Sequence, residues 1–206
     1  MNRVSVSKEK QTILTELSKG DFDAFLYDCD GTLADNMEGH KASYRAAALM
    51  YGFELDTTII DELAGWPIVQ VAEEIRKQYG RPFKPEIFAQ LKNKLYEETF
   101  IQDTKPIEFV VAHLKAHAGK VRIGVVSGGG RVSVSRTLQQ LGITKLVEVL
   151  VCAGDTARGK PYPDPFLYAA ERLGVNPSRC LVFEDGNPGV QAAVAAGMRW
   201  IRIDQV

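Results

Sequence analysis

The sequence predicts an α/β fold in which a doubly wound parallel sheet carries an inserted, all-helical cap. Apolar runs of strand length are continuous rather than alternating, which is typical of strands buried on both faces of a parallel sheet. Helical patterns separate the later runs, and such alternation favours the α/β class. One long segment after the first run contains helical patterns alone, which indicates an insertion.

The first elements of the chain are a helix and a strand. Ile13, Leu14 and Leu17 recur at helical spacing within residues 8–19, which predicts an amphipathic lead-in helix. The apolar run 24–28 ends at an aspartate and lies between turn residues, so we interpret it as the first buried strand. Four later runs predict further strands, and these are 121–126, 147–153, 180–183 and 200–203.

Three helical patterns lie among the later strands, and each ends at a glycine. They cover 133–141, 165–173 and 189–196, and the glycines are Gly142, Gly174 and Gly197. Glycine readily adopts the left-handed conformation that closes a helix, so its position supports all three helices. Strands and helices in this order predict a Rossmann-like core.

Residues 37–103 contain helical patterns alone, at 40–51, 69–79 and 85–100. A crossover between parallel strands usually needs one helix, so this segment is too long to be one. We interpret it as a cap inserted between the core segments 1–36 and 104–206, with hinges near 34–37 and 102–106. Because open α/β sheets bind ligands at the carboxyl ends of their strands, the cap should cover the site.

Composition and charge exclude several classes of function. The 206 residues include 25 Lys plus Arg and 26 Asp plus Glu, a net charge of −1, which argues against a nucleic-acid or acidic-membrane partner. No apolar run approaches the ~18 residues of a membrane span, and the polar N-terminus lacks the apolar centre of a signal peptide. Cys29, Cys152 and Cys180 show no metal spacing and are typical of free thiols. We expect a cytoplasmic protein, with a monomer as the default.

Polar motifs follow four of the predicted strands. They are Asp28–Thr32, Ser127–Gly130, Lys160 and the Glu184-Asp185 pair. Parallel strands place their carboxyl ends at one sheet edge, so these groups should converge. Clustered carboxylates repel and raise one another's pKa, which a hard cation such as Mg²⁺ relieves. Together with a lysine, a hydroxyl and glycine-rich amides, they are what phosphoryl transfer requires.

These motifs resemble those of a known superfamily. The segment Asp28-Cys29-Asp30-Gly31-Thr32-Leu33 resembles the DxDGT signature of the haloacid dehalogenase-like hydrolases. Ser127, Lys160 and Glu184-Asp185 match the remaining motifs in the same order, and the resemblance covers about 22–203. It implies a phosphatase that uses Mg²⁺ to hydrolyse a small phosphomonoester through an aspartyl-phosphate.

The position of the cap is similar to that in the β-phosphoglucomutase-like branch of this superfamily. Within that branch, Gly65-Trp66-Pro67 and the segment 72–75 look most like small sugar-phosphate phosphatases acting on fructose 1-phosphate-type substrates. The resemblance therefore implies that the partner is a small phosphorylated metabolite, expected to be a sugar phosphate.

The resemblance also implies roles for the acidic residues. Asp28 would be the nucleophile, and Asp30 would protonate the leaving oxygen and then activate water. Mg²⁺ would be bound by Asp28, Asp185 and the backbone carbonyl of Asp30. Glu184 would either bind the ion directly or support the residues that do. Without the resemblance, Asp28 and Asp30 could simply end a strand and form a turn.

The other matched residues would hold the phosphate and the leaving group. Ser127 and the Gly128 amide would bind phosphoryl oxygens, and Lys160 would pair with both nucleophile and phosphate. In the cap, His40 matches a histidine that faces the active site, although a histidine on a helix surface is the ordinary alternative. Trp66 and Gln70 are candidate substrate contacts, although a tryptophan is more often part of a core.

Other activities fit the sequence less well. A phosphosugar mutase shares the catalytic set but needs a cap cation for its second phosphate, and residues 65–71 contain neither Arg nor Lys. Lys41 or Arg45 could substitute for it. A dehalogenase would lack the second acid, Asp30, and a phosphonatase would need a Schiff-base lysine for which the cap offers no clear candidate. A non-catalytic phosphosugar-binding protein remains a further alternative.

Two further patterns resemble a nucleotide-binding loop and a zinc site, and we interpret both resemblances as coincidental. The segment 154–161 nearly spells a nucleotide-binding P-loop, but proline replaces the required hydroxyl residue at position 161. His113 and His117 have a spacing that could bind zinc, but no further ligand supports it, so we expect both to face solvent.

Overall fold

The computed structural model describes residues 3–63 and 66–206. In chain order its helices and strands are α1 (Arg3–Leu17), β1 (Ala24–Tyr27), β2 (Ala34–Asp35), α2 (Met37–Met50), α3 (Thr58–Glu62), α4 (Ile68–Tyr79), α5 (Pro85–Leu95), β3 (Lys105–Pro106), α6 (Glu108–His117), β4 (Arg122–Val126), α7 (Arg131–Gln140), β5 (Val149–Val151), α8 (Asp164–Leu173), β6 (Cys180–Glu184), α9 (Asn187–Ala195) and β7 (Arg199–Arg202). Among these described residues, no helix combines the length and apolar character needed to cross a membrane.

The five longer strands form one parallel sheet in the order β5-β4-β1-β6-β7. The predicted doubly wound α/β core is therefore confirmed, and β1 lies at its centre. The chain proceeds from β1 to one side of the sheet and returns through β6 to the other. Ligand sites of open α/β sheets lie at this kind of reversal, so the fold directs attention to the end of β1.

Both faces of the sheet are covered, which explains why the strands are continuously apolar. Phe25 and Tyr27 of β1 belong to the core on one face, while Ala24 and Leu26 belong to the core on the other. All four side chains are buried. Alternate residues of a strand point to opposite faces, so burial on both sides leaves no position for a polar residue.

Two short strands join the cap to the core. β2 and β3 pair antiparallel, with Ala34 opposite Pro106 and Asp35 opposite Lys105. The sequence did not predict them as strands, although both fall within the segments expected to be hinges. Helices α2 to α5 lie between them and have an apolar core of their own. We therefore propose residues 37–103 as the cap, and use that name for them below.

Helix boundaries differ most from the sequence predictions at α1 and α5, and one short helix was not predicted. α1 covers Arg3–Leu17 rather than 8–19, and only Leu14 of its three marker residues is fully buried, since Ile13 and Leu17 are 43% and 48% exposed. The predicted helix 85–100 ends at residue 95 and continues as a π-helical turn, Tyr96–Phe100. The short α3 was not predicted, because one helical turn is too short to show a periodic pattern.

The prediction that His113 faces solvent is wrong. The face of α6 that carries it packs inward, its side chain is fully buried, and its ring stacks on Phe25 at 5.5 Å. The Tyr27 hydroxyl oxygen lies 2.9 Å from Nδ1, and the Ser18 hydroxyl oxygen lies 2.9 Å from Nε2, so both ring nitrogens have a hydrogen-bond partner. Burial, and then the nearby His117, lower the pKa of His113 to about 3. The histidine therefore ties α1 and α6 to the central strand.

We expect His113→Gln to reduce the loss of stability in acid. An unfolded imidazole takes up a proton near pH 6.5, whereas folded His113 stays neutral down to about pH 3. Stability from this site is therefore present above pH 6.5 and lost as pH falls, by up to about 1.4 kcal/mol per pH unit. Glutamine keeps a donor and an acceptor without this titration.

Urea unfolding at a series of pH values between 4 and 7 measures this difference. The matched control is His117→Gln on the half-buried neighbour, which should keep most of the wild-type slope. Parallel stability curves for wild type and His113→Gln would contradict the account.

Candidate active site

The polar motifs converge where β1, β4 and β6 end. Asp28 directly follows β1, Ser127 directly follows β4, and Glu184 ends β6 with Asp185 after it. Lys160 lies in the loop between β5 and α8 and reaches the same place. The convergence follows from the parallel sheet, which brings the carboxyl ends of neighbouring strands to one edge.

Lys160 links the acids at the centre of this site. Its ammonium donates to Asp28 Oδ1 at 2.7 Å, to Glu184 Oε1 at 2.6 Å and to the Val126 carbonyl at 2.8 Å. An ammonium has three hydrogens, so every donor has a partner. Burial lowers the pKa of Lys160, but Asp28 and Glu184 outweigh it and hold that pKa above its usual range. Lys160 is therefore a fixed positive charge beside Asp28.

Three carboxylates lie close enough to share a cation. One oxygen each from Asp28, Glu184 and Asp185 lies within 4.8 Å of the others. Burial raises the pKa of Asp28 well above its usual range, with Lys160 lowering that pKa and the neighbouring acids raising it. Burial and then Glu184 raise the pKa of Asp185 to about 6. Crowded carboxylates of this kind suit a hard divalent cation, which prefers oxygen ligands.

Glu184 differs from the other two acids because both of its oxygens have protein partners. Oε1 accepts from Lys160, and Oε2 accepts from the Gly186 amide at 2.9 Å. The Asp185 carboxylate accepts a hydrogen bond from the Thr32 hydroxyl at 2.7 Å. Glu184 therefore positions Lys160.

The glycine-rich loop after β4 presents polar groups to the same cleft. Ser127 is buried, and its hydroxyl oxygen accepts from the Gly129 amide at 3.0 Å. Ser127, Gly128 and Gly129 all line the cleft. The loop leads into α7 with Gly130 at the start of the helix. Free amides and the helix dipole at such an end favour an anion.

Asp30 lies where the core meets the cap. The Asn36 amide nitrogen donates to Asp30 Oδ1 at 2.6 Å, and His40 Nε2 lies 3.4 Å from the same oxygen. Burial raises the pKa of Asp30, but His40, Asn36 and Lys92 outweigh it and set that pKa at about 2. In the free protein Asp30 is therefore ionised, held by a residue of the hinge and by the first cap helix.

A lysine that the sequence analysis missed completes this network. Lys92 of α5 is 2% exposed and donates to His40 Nδ1 at 2.8 Å. This bond leaves the proton of neutral His40 on Nε2, toward Asp30. Burial lowers the pKa of Lys92 to about 8. Phe88, Lys92 and Tyr96 follow one another at four-residue spacing, so a lysine within an apolar stripe was the available signal.

The other two cap candidates, Trp66 and Gln70, differ in whether they line the cleft. The cleft has a volume of about 160 Å³ and lies between the acid cluster and the cap. Trp66 lines it and is 46% exposed. Gln70 is exposed and lies outside the lining, because α4 turns Ile68 and Val71 toward the cleft instead. Gly65 lies outside the described residues.

Two glycines let the backbone approach the acids. Gly31 belongs to the Asp28–Thr32 motif, whereas Gly189 belongs to none of the polar motifs. A Cβ on Gly31, whose φ is +85°, would lie 2.3 Å from Asp185 Oδ2. A Cβ on Gly189 of α9 would lie 1.8 Å from Glu184 Oε1. Nothing in the sequence marked Gly189, because the contact depends on how α9 packs against β6.

We expect Gly189→Ala to lower kcat at least about tenfold while the protein stays folded. The new methyl group would displace the Glu184 carboxylate, which is buried and holds Lys160. Loss of positioning by about 1 Å can cost on the order of a hundredfold in rate. Initial rates on a chromogenic aryl phosphate measure the effect. Val194→Ala, at an exposed position on the same helix, should behave as wild type; full activity in Gly189→Ala would refute the packing argument.

Comparison with known proteins agrees with this geometry. Fructose-1-phosphate phosphatase YqaB of Escherichia coli K12 is 31% identical over 173 residues, 84% of this chain and 92% of that protein. The bifunctional riboflavin kinase/FMN phosphatase of Arabidopsis thaliana is 32% identical over 182 residues, 86% of this chain and 47% of that protein. The crystal structure of β-phosphoglucomutase from Clostridium difficile has a TM-score of 0.74 and 27% identity, and the match covers 88% of this chain and 84% of that one.

A family model gives the decisive match. The model of the haloacid dehalogenase-like hydrolases matches residues 25–203, which include every motif at the edge of the sheet and the whole cap. The chain therefore belongs to the haloacid dehalogenase-like hydrolase family.

Proposed function

We propose that the chain is a Mg²⁺-dependent phosphatase that hydrolyses a small phosphomonoester through a phosphorylated Asp28. The observation that carries this proposal is the position of Asp28. Its carboxylate lies at the end of the central strand, 2.7 Å from the buried ammonium of Lys160. A carboxylate held beside a fixed cation and a phosphate-binding loop is suited to attack phosphorus.

The reaction takes two steps. An oxygen of Asp28 attacks phosphorus and forms an acyl phosphate, while the bond from phosphorus to the ester oxygen breaks. Asp30 gives a proton to that oxygen; the entering phosphate raises the pKa of this carboxyl so that it can carry one. Asp30 then removes a proton from water as the water attacks phosphorus, which releases phosphate and restores Asp28. Ser127, Gly128 and Lys160 hold the phosphoryl oxygens throughout.

The acid cluster fits a magnesium ion. Asp28, Asp185 and the main-chain carbonyl of Asp30 would hold it, and Glu184 would act on the site through Lys160. When bound, Mg²⁺ neutralises charge on the carboxylates and on the phosphoryl group. The raised pKa values of Asp28 and Asp185 are consistent with this assignment, because burial and then the neighbouring acids disfavour their charged forms, and a bound cation would favour them.

The names of the relatives support hydrolysis of a phosphate ester more strongly than they support any particular leaving group. One is named a fructose-1-phosphate phosphatase and another a bifunctional riboflavin kinase/FMN phosphatase. Both names describe removal of phosphate from an ester, whereas the alcohols differ. A small phosphorylated metabolite is the class of partner that we propose for this chain.

Phosphate release from a panel of esters tests the proposal. Sugar phosphates, a nucleotide, FMN, phosphoglycolate and a chromogenic aryl phosphate should be compared with Mg²⁺ and with EDTA. We expect hydrolysis that EDTA abolishes and Mg²⁺ restores. Binding of phosphosugars without any turnover would instead support a non-catalytic binding protein.

One observation favours phosphosugar mutase activity as a second candidate. Lys92 is a buried cation in the cleft wall and could hold a second phosphate. The two cations considered earlier are engaged elsewhere, since Lys41 lies 2.7 Å from Asp61 and Arg45 donates to Thr57. Glucose 1-phosphate supplied with a bisphosphate primer distinguishes the two: a mutase makes glucose 6-phosphate, and a phosphatase makes free sugar and phosphate.

A further inference from the structure

We infer that the cap selects a leaving group with an apolar or aromatic face and few hydroxyl groups, and that Trp66 determines this specificity. The inference rests on the proposed phosphatase function and concerns the half of the substrate that leaves. It follows from the side chains that the cap presents to the cleft.

The cap side of the cleft is an apolar wall, which we define as Tyr44, Ile60, Leu63, Trp66, Ile68 and Val71. Among the cap residues that the structure describes, His40 and Lys92 are the charged or imidazole groups in the lining. These two are hydrogen-bonded to each other at 2.8 Å. Within the described ranges, the cap contributes no carboxylate and no side-chain amide to the cleft.

The core side of the same cleft is entirely different. It carries the acids, Ser127, Lys160 and the glycine amides that suit a phosphate. A phosphomonoester bound with its phosphate at these groups directs its alcohol portion toward the apolar wall. The two ends of the cleft therefore match a molecule with a polar end and an apolar end.

An apolar wall discriminates against hydroxyl groups. A hydroxyl that leaves water without finding a partner costs roughly tenfold to a hundredfold in affinity. A hexose carries several hydroxyl groups, whereas the polar cap residues in the described lining are Tyr44 and the hydrogen-bonded His40–Lys92 pair. A flat hydrocarbon or aromatic face loses nothing there and gains from its removal from water.

Trp66 is the wall residue with the most surface left to bury. Its side chain is 46% exposed, whereas Tyr44, Ile60 and Val71 are exposed by 4%, 6% and 4%. A large aromatic ring on the rim of a cleft offers a flat surface on which a ligand can stack. A leaving group that covers this ring removes its apolar surface from water, whereas Tyr44, Ile60 and Val71 are already buried and have little surface left to cover.

The test compares two esters of primary alcohols, 2-phenylethyl phosphate and glucose 6-phosphate, with the Mg²⁺-loaded protein. We expect kcat/KM at least about tenfold higher for the phenylethyl ester. Trp66→Ala should lower that value about tenfold and change the value for glucose 6-phosphate less than twofold. Val69→Ala removes an exposed apolar side chain of α4 that lies three residues from Trp66 and outside the lining, and should leave both values unchanged.

Two results would overturn the inference while leaving the phosphatase function intact. One is equal or faster hydrolysis of glucose 6-phosphate by the wild-type protein. The other is an equal loss on both esters in Trp66→Ala, which would indicate a structural role. If the protein hydrolysed neither of these esters and no ester of the wider panel, the inference and the proposed function would both be overturned.

Discussion

Asp28→Asn is expected to lower kcat by a factor on the order of 10⁴ or more, because an amide cannot form the acyl phosphate. The fold should survive the change. Lys160 keeps its hydrogen bonds to Glu184 and to the Val126 carbonyl, and asparagine has nearly the same shape as aspartate. Phosphate release measured at saturating substrate with Mg²⁺ gives the rate, and a thermal unfolding curve reports the fold.

The matched control for this variant is Asp35→Asn. It makes the same chemical change at an exposed residue of β2, between the acid cluster and the cap. Its rate should stay within about twofold of wild type. If Asp28→Asn kept more than about a tenth of the wild-type rate, Asp28 would not be the nucleophile.

Lys160→Met is expected to affect both rate and stability. It removes the cation that neutralises Asp28 and Glu184, which are both buried, and an uncompensated buried charge costs about 3–5 kcal/mol. We therefore expect the metal-free variant to be destabilised by about 3 kcal/mol at pH 8 and its turnover to be lost. Chemical unfolding in EDTA measures the stability.

The destabilisation should depend on pH in a defined direction. Without Lys160, which lowers it, the pKa of the Asp28 carboxyl rises further above that of the unfolded chain. Groups with raised pKa values favour the folded state at low pH, and that contribution is lost as pH rises. The gap between variant and wild type should therefore shrink from pH 8 to pH 5. Lys145→Met, an exposed lysine, is the control, and a gap that widens in acid would contradict the account.

The parts of the site that the sequence could predict are those carried by short motifs at strand ends. β1 reads as buried because all four of its residues are apolar, and Asp28 is conspicuous because it ends that run. Ser127, Lys160 and the pair of acids after β6 follow from the same rule, since a parallel sheet brings strand ends together. Which of these residues contact one another could be seen only in the structure.

Other parts depend on packing between segments that are distant in sequence. Lys92 lies 52 residues from the histidine that it contacts, and only the fold of the cap joins them. Gly189 is required by the close approach of α9 to Glu184. His113 is buried because α1 covers α6, whereas its own helix gives no indication of this. The sequence records residue types, but the partner of each buried polar group is fixed by the tertiary structure.

The central claim is that phosphate passes through a covalent bond to Asp28, and chemical trapping tests it most directly. The protein should be mixed with substrate and Mg²⁺, quenched in acid during turnover, and treated with borohydride, which reduces an acyl phosphate to an alcohol. Peptide mass spectrometry should then find residue 28 converted to homoserine, and only in samples that received substrate. Steady turnover with residue 28 unmodified, or with the modification on another residue, would contradict the mechanism.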